Sequence, residues 1–203
     1  AYFNSGQSCC AVERIYVHEQ CYQDFVDRFI EQVHRYKLGN PLDPETTLGP
    51  MVNAQAADRV RKQIRDALNA GAKSCVEQSR FTKTETNAYL SPEVLINVDH
   101  SMKVMQEESF GPVVGIMKVK NDTEALSLMN DSRYGLTASI WTEDNEKAVT
   151  ISNALNTGTV FKNRCDYLDP ALAWSGIKDS GHGCALSSLG YIQLTRTKSF
   201  HLR

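Results

Sequence analysis

Short apolar segments alternate along this chain with segments whose apolar residues recur at helical spacing, and this alternation restricts the folds it can adopt. Runs rich in β-branched residues predict strands, and apolar residues three or four positions apart predict helices. The predicted strands are residues 15–17, 94–96, 113–119, 136–141 and 159–161, and the predicted helices lie around residues 22–36, 60–68, 123–130 and 146–155. Such alternation predicts crossover units, and therefore an α/β fold with a largely parallel sheet flanked by helices.

The last stretch of the chain, residues 191–202, has a different pattern. Thr195, Thr197, Phe200 and Leu202 fit an extended segment, which we expect to form a strand. A terminal strand without a neighbour in its own chain often pairs with another subunit. The sequence therefore predicts a C-terminal oligomerisation strand and a homo-oligomer.

The charge balance argues against two classes of partner. The chain carries 22 Lys and Arg against 24 Asp and Glu, a net charge of −2. Nucleic acids and acidic membrane surfaces are bound by a basic excess, so we predict neither as a partner. The sequence shows neither an apolar run of about 18 residues nor a signal peptide. Because the chain begins at Ala1 inside a motif, we expect it to be a piece of a longer polypeptide.

The cysteines and histidines indicate neither a disulfide framework nor a metal site. Six cysteines, at positions 9, 10, 21, 75, 165 and 184, form no Cys-x-x-Cys pair. The five histidines have no metal-ligand spacing with cysteine or carboxylate. We therefore predict a reducing compartment, the cytoplasm, and no bound metal.

Cys9 is a candidate nucleophile. Gly6 permits a sharp turn, and a helix starting near Cys9 would favour the thiolate through its dipole and free N–H groups. The same N–H groups suit an oxyanion formed when the sulfur adds to a carbonyl. The alternative is that Cys9 merely packs, because cysteine is among the most buried residue types.

Residues 2–11 (YFNSGQSCCA) resemble the cysteine motif of the NAD(P)-dependent aldehyde dehydrogenase superfamily, Phe-x-Asn-x-Gly-Gln-x-Cys-x-Ala. The matching residues are Asn4, Gly6, Gln7, Cys9 and Ala11. Tyr2 stands in place of the usual phenylalanine and keeps the aromatic ring. The resemblance implies that Cys9 is the catalytic nucleophile.

Residues 106–113 (QEESFGPV) carry a second motif. On the residues alone, Gly111 and Pro112 form a break before a strand, and the paired glutamates form a solvated surface. The segment resembles the family's Glu-x-Phe-Gly-Pro, whose glutamate binds the nicotinamide ribose hydroxyls and whose phenylalanine contacts the nicotinamide. The resemblance implies these roles for Glu108 and Phe110, and a carboxylate is suited to accept from two neighbouring hydroxyls.

Two more motifs complete the resemblance. Residues 130–138 resemble the family's Asn-x-x-x-Tyr-Gly-Leu-x-Ala, a turn to which we assign no chemistry. Residues 158–163 and 175–181 resemble Gly-x-x-x-x-Asn and Gly-Gly-x-Lys-x-Ser-Gly, with Ser175 in place of the first glycine. Trp174 stands where an aromatic residue commonly lines the aldehyde tunnel.

Arg164 is a candidate for substrate recognition near the expected entrance. A cation there suits an acidic or polar aldehyde. The alternative is that Arg164 and Asp166 pair with each other or with Lys162 and have no recognition role.

The resemblance covers nearly the whole chain but only the C-terminal part of the family pattern. It implies a catalytic domain at residues 1–190 and an oligomerisation tail at residues 191–203. The implied activity is oxidation of an aldehyde to a carboxylic acid through a cysteine thiohemiacetal and thioester, with NAD or NADP as cofactor. In the family the cofactor domain and the Glu-Leu-Gly-Gly motif that supplies the general base lie upstream of the cysteine. We therefore expect the isolated chain to be inactive. The alternative is a non-catalytic assembly or binding module derived from a truncated aldehyde dehydrogenase.

Overall fold

A computed structural model describes residues 1–81, 86–165 and 167–203. The chain divides into two compact units, Ala1–Ser127 and Leu128–Arg203. The boundary falls within helix α3, Asp122–Asn130. The α/β fold with helices flanking a mixed, mainly parallel sheet confirms the prediction.

The first unit is built on a four-stranded sheet. Its elements in chain order are β1 (Arg14–His18), α1 (Tyr22–Val33), α2 (Ala54–Asn69), β2 (Lys73–Ser74), β3 (Glu93–Ile96) and β4 (Val113–Val119). The strand order is β1-β4-β3-β2. Strands β1, β4 and β3 are parallel, with Ile15 opposite Ile116 and Val94 opposite Val114. The short edge strand β2, which the sequence analysis missed, is antiparallel to β3.

Both faces of this sheet are buried because alternate residues of its strands point to opposite sides. On one face, Leu95 and Val113 pack with the apolar residues of α2. On the other face, Val94, Val114 and Ile116 pack with the apolar residues of α1. Strands covered on both sides read as continuous apolar runs, which is why β3 and β4 were visible in the sequence.

Helix α2 is bounded by a capping side chain at its start and a glycine at its end. The Asn53 side chain accepts a hydrogen bond of 2.8 Å from the Ala56 N–H and caps the first turn. Gly71 has φ +108°, a left-handed conformation that closes the helix, as predicted. The Ala72 N–H then donates to the Ala67 carbonyl over 3.0 Å.

The second unit contains two small sheets. Its elements are β5 (Tyr134–Gly135), β6 (Thr137–Ile140), α4 (Asn145–Ala154), β7 (Thr159–Lys162), β8 (Ile177–Lys178) and α5 (Ser187–Leu194). Strands β6 and β7 are parallel, and β5 pairs antiparallel with β8. The predicted helices at α3 and α4 and the predicted strand at β7 are confirmed, whereas the predicted strand over 136–141 is shorter and β8 was missed.

The predicted C-terminal strand is wrong in this structure. Residues 191–194 belong to α5, and residues 195–203 form no regular secondary structure. A strand is stabilised by backbone hydrogen bonds to a neighbouring strand, whereas a helix satisfies its backbone locally. Within one chain, the alternating Thr, Phe and Leu pattern is therefore insufficient to form the strand.

None of the helices in the described ranges combines the length and apolar character needed to span a membrane.

Candidate active site

Cys9 lies in a turn that follows a strained segment of main chain. Phe3–Gly6 forms a short 3₁₀ segment in which Asn4, Ser5 and Gly6 have φ of 49°, 57° and 73°. The turn closes with a 3.0 Å hydrogen bond from the Ala11 N–H to the Ser8 carbonyl. The Cys9 side chain is exposed, so the alternative that it packs in the core is wrong, and the neighbouring Cys10 is buried.

The prediction that a helix starts at Cys9 is wrong. The residues after the turn lead directly into strand β1, and no helix begins between Gly6 and Arg14. The main chain leaves the left-handed residues 4–6 and enters strand β1 at Arg14. This short path leaves no room for a helical turn at Cys9. The helix dipole therefore does not act on this thiol. Among the described residues, no acceptor is bound by the Cys9 N–H.

Gln7 fixes the cysteine turn to the loop at residues 49–52. Its side-chain amide donates to the Asn4 carbonyl over 3.1 Å and to the Pro50 carbonyl over 3.3 Å. Its side-chain oxygen accepts a 2.7 Å hydrogen bond from the Val52 N–H. Ser5 adds a 2.7 Å bond from its hydroxyl to the Gly49 carbonyl. The polar residues of the motif therefore hold the turn that presents Cys9.

Tyr2 anchors the same segment from the core side. The ring is buried, and its hydroxyl donates a 2.8 Å hydrogen bond to the Glu93 main-chain carbonyl. Burial, helped by the Glu93 and Tyr36 side chains, holds the pKa of Tyr2 well above its ordinary value. The phenol therefore stays a donor, a bond that a phenylalanine at this position cannot make.

The second motif forms a tight loop that touches the first. Phe110 has φ +50°, and Gly111 packs so closely on α2 that an added Cβ would lie 2.6 Å from a methyl of Val60. A Cβ on Gly6 would in turn lie 2.1 Å from the Gly111 carbonyl oxygen. Glu108 is exposed and Phe110 half-buried. The structure thus brings the cysteine motif and the motif of Glu108 and Phe110 together.

Glu13, which belongs to none of the recognised motifs, binds this loop. The Ser109 N–H donates to both carboxylate oxygens of Glu13 over 3.0 Å, and the Phe110 N–H donates over 2.9 Å. Burial raises the pKa of Glu13, although these N–H bonds act in the opposite direction. The available signal was a glutamate between Val12 and strand β1, four residues after Cys9.

In the second unit, the motif at residues 130–138 and the motif at residues 175–181 are joined by hydrogen bonds. The Lys178 ammonium donates to the carbonyls of Asn130 and Ser132 over 3.0 and 2.8 Å, at the C-terminal end of α3. The Ser180 hydroxyl accepts a 3.0 Å bond from the Gly135 N–H. These contacts hold the turn after α3 against strand β8 and the residues that follow it. Lysine at a helix C-terminus satisfies carbonyls that the helix leaves without partners.

Trp174 and Arg164 also lie in the second unit. Trp174 is half-buried and pairs main chain to main chain with Ala185, over 2.7 and 2.8 Å. The Arg164 guanidinium lies 3.7 Å from the centre of the Tyr167 ring. The suggested partner Asp166 lies outside the described residues. The other suggested partner, Lys162, binds the side-chain oxygen of Asn145 over 2.5 Å.

Within residues 1–81, 86–165 and 167–203, no three His, Cys, Asp or Glu side chains are arranged to hold a metal ion.

Comparison with known proteins finds aldehyde dehydrogenases as relatives of this chain. The model of the aldehyde dehydrogenase family matches residues 1–200. An aldehyde dehydrogenase of Emericella nidulans is 38% identical over 202 residues, which cover 100% of this chain and 40% of that protein. Human aldehyde dehydrogenase 1A1 is 36% identical over 198 residues, 98% of this chain and 39% of that protein. The chain therefore spans well under half the length of these relatives.

Solved structures agree with the sequence comparison. The crystal structure of betaine aldehyde dehydrogenase from Staphylococcus aureus, in complex with NAD+, superposes with a TM-score of 0.87 at 32% identity. The match covers 95% of this chain and 39% of that one. An aldehyde dehydrogenase from Brucella melitensis gives a TM-score of 0.86 at 32% identity, covering 93% of this chain and 38% of that one.

Proposed function

Since the chain belongs to the aldehyde dehydrogenase family, we propose that it is the catalytic-domain portion of an NAD(P)-dependent enzyme that oxidises an aldehyde to a carboxylic acid. The observation that carries the proposal is the placement of Cys9. Its thiol is exposed on a turn that Gln7 and Ser5 hold in place, next to the loop that carries Glu108 and Phe110. A fixed, accessible thiol is what nucleophilic addition to a carbonyl requires.

In the proposed chemistry, the Cys9 thiolate forms a bond to the aldehyde carbon, and the electron pair of the carbonyl moves onto oxygen. In this proposal the Cys9 N–H donates a hydrogen bond to the oxyanion that results. Loss of hydride from this thiohemiacetal leaves a thioester on Cys9. Attack by water then releases the carboxylic acid and restores the thiol.

Glu108 and Phe110 fit the nicotinamide end of the cofactor by their chemistry. An exposed carboxylate suits two neighbouring ribose hydroxyls, and a half-buried aromatic ring offers a face for a planar heterocycle. Bound NAD(P)+ supplies the hydride acceptor. The proposal covers NAD and NADP alike, because Glu108 and Phe110 act at the nicotinamide end, away from the 2′-phosphate.

Trp174 and Arg164 are proposed for the substrate side. A half-buried indole suits an aldehyde path, and a guanidinium suits an acidic or polar aldehyde. The ring of Tyr167 beneath Arg164 supports this role, since stacking orients the guanidinium without neutralising its charge.

We further propose that the isolated chain does not sustain NADH formation, because Glu-Leu-Gly-Gly does not occur in its 203 residues. Without a base to activate water, the thioester on Cys9 should persist. We also place the protein in the cytoplasm, in keeping with the finding that no disulfide joins its six cysteines.

A second candidate function, assembly, is supported by the C-terminal surface. Five large apolar residues of residues 191–203 are exposed: Tyr191, Ile192, Leu194, Phe200 and Leu202. An apolar surface of this kind tends to be covered by a partner. We propose that the partner is a second copy of the chain, whether or not Cys9 is catalytic.

Alkylation by iodoacetamide with peptide mapping tests the proposed nucleophile. Cys21 and Cys165 are matched controls because they are exposed like Cys9. Burial raises the pKa of Cys75, so its labelling should be slow. We expect Cys9 to be labelled first at neutral pH. Labelling of Cys21 or Cys165 at the same rate as Cys9 would show that exposure alone controls reactivity, against the proposal.

A further inference from the structure

The geometry points to Glu13 as the positioning residue that fixes Phe110 and Glu108 for the nicotinamide end of the cofactor. This inference rests on the proposed function and adds to it a residue outside the recognised motifs. Glu13 itself touches no reacting atom. It acts on the loop through the main-chain N–H groups of Ser109 and Phe110.

The contact is a clamp between two segments distant in the sequence. Glu13 lies between the cysteine turn and strand β1, and its two carboxylate oxygens receive both N–H groups. Its own carbonyl accepts from the Gly115 N–H of β4 over 3.3 Å. One residue therefore sets the position of the loop relative to the sheet and relative to Cys9, four residues earlier.

The loop needs such a clamp because its conformation is unfavourable. Phe110 has φ +50°, a left-handed conformation that is unfavourable for a residue with a Cβ atom. The N–H groups of Ser109 and Phe110 would otherwise lack a partner beside the buried Ser109. Hydrogen bonds to an ionised acceptor are among the strongest in proteins, so the carboxylate can hold this strain.

Two charged residues act on Glu13. Glu108 raises the pKa of Glu13 and Arg14 lowers it, while burial has the largest effect and raises it. Arg14 lies beside Glu13 and donates to the Met105 carbonyl over 3.5 Å. Glu13 and Arg14 thus both bind the segment that leads into the loop.

Nuclear magnetic resonance of the ¹⁵N-labelled chain tests the clamp without any cofactor. We expect the amide signals of Ser109 and Phe110 to move as Glu13 titrates, with a midpoint above that of an ordinary glutamate. The E13Q variant should abolish this movement and speed hydrogen exchange of both amides by roughly 10- to 100-fold. E93Q is the matched control, since burial also raises the pKa of Glu93 and its carboxylate binds Ser74 and Gln78 instead of the loop.

Four outcomes would count against the clamp. In E13Q, the amides of Ser109 and Phe110 could exchange as slowly as in the wild type, or their signals could still move with pH. E93Q could change both amides as much as E13Q does. In the wild type, both amide signals could fail to move with pH. The last of these needs no variant, so the question is decided even where E13Q does not fold.

Nicotinamide mononucleotide probes the cofactor role separately. We expect it to shift the signals of Glu108 and Phe110 in the wild type and in E93Q, and to shift them less in E13Q. Undiminished shifts in E13Q would contradict the positioning role. An absence of shifts in the wild type, with the clamp intact, would contradict the cofactor role in the proposed function.

Discussion

Gly6 and Gly111 approach main chain to main chain, so closely that a Cβ atom on Gly6 would lie 2.1 Å from the Gly111 carbonyl oxygen. Only a residue without a side chain fits at Gly6, which also has φ +73°. The glycine of the cysteine motif therefore serves two purposes. It permits the turn that presents Cys9, and it lets the loop of Phe110 pack against that turn.

The G6A variant should lose stability through both strain and steric overlap. We expect a loss of about 3 kcal/mol or more in the free energy of unfolding. The control is G71A, because Gly71 has φ +108° but no atom within 4 Å of its Cβ position. That variant should lose only about 1 kcal/mol. Urea denaturation measures both, and equal losses would mean that the contact with Gly111 is unimportant.

Replacing Gln7 by alanine should loosen the cysteine turn. The variant loses three hydrogen bonds, to Asn4, Pro50 and Val52. We expect a loss of about 2 kcal/mol and faster alkylation of Cys10, which is only 7% exposed in the wild type. The control is Gln23→Ala on exposed α1 surface, which should change neither property. Cys10 labelling that stays slow in Gln7→Ala would show that other contacts hold the turn.

Glu93 should make stability depend on pH. Burial raises the pKa of Glu93, while the bonds from Ser74, Val94 and Gln78 oppose this. A carboxyl whose folded-state pKa is raised binds its proton more tightly in the folded chain. Its contribution to stability is therefore present at low pH and lost as the pH rises above 4.5 through the folded-state value.

The E93Q variant should reduce this loss of stability between pH 4.5 and 7, measured by urea denaturation at each pH. Glu13 contributes with the same sign, so E93Q should diminish the slope without abolishing it. The exposed carboxyls with lowered pKa, such as Glu45, act below this window. An unchanged slope in E93Q would show that Glu93 is not the group that titrates.

The C-terminal surface should drive self-association. Substituting Leu194, Phe200 and Leu202 by serine removes three of its most exposed apolar side chains. We expect light scattering to show an oligomer for the wild type and a monomer for the triple variant. Leu42→Ser is the control, since Leu42 is 90% exposed but lies in the first unit. A monomeric wild type, or a triple variant that still associates, would contradict the proposed role of the tail.

Apolar spacing and glycine positions in the sequence predicted the helices and strands that depend on neighbouring residues. Apolar residues at helical spacing identified α1 and α2, and a left-handed glycine closed α2 at the predicted place. The runs at β3 and β4 were visible because both faces of the sheet are covered. The predicted C-terminal strand did not form because residues 191–194 belong to α5, and a strand depends on a partner that the pattern of one segment does not contain.

The candidate site was predicted where a motif names its residues and missed where contacts join distant segments. Cys9, Glu108 and Phe110 stand in recognisable motifs. Glu13 belongs to no recognised motif. Its partners Ser109 and Phe110 lie 96 and 97 positions away in the sequence. The helix expected at Cys9 does not form, because three consecutive left-handed residues, Asn4, Ser5 and Gly6, direct the main chain into a turn that leads to strand β1.

Acyl transfer from p-nitrophenyl acetate tests the central claim, that Cys9 is the nucleophile of a carbonyl addition. The thiolate attacks the acetyl carbon, the bond to the leaving oxygen breaks, and p-nitrophenolate is released. We expect one burst of p-nitrophenolate and a stable acetyl group on the Cys9 peptide, detected by mass spectrometry. Cys9→Ser should abolish the burst, and Cys21→Ser should retain it. Acetylation of Cys21 or Cys165 instead, or a full burst from Cys9→Ser, would contradict the account.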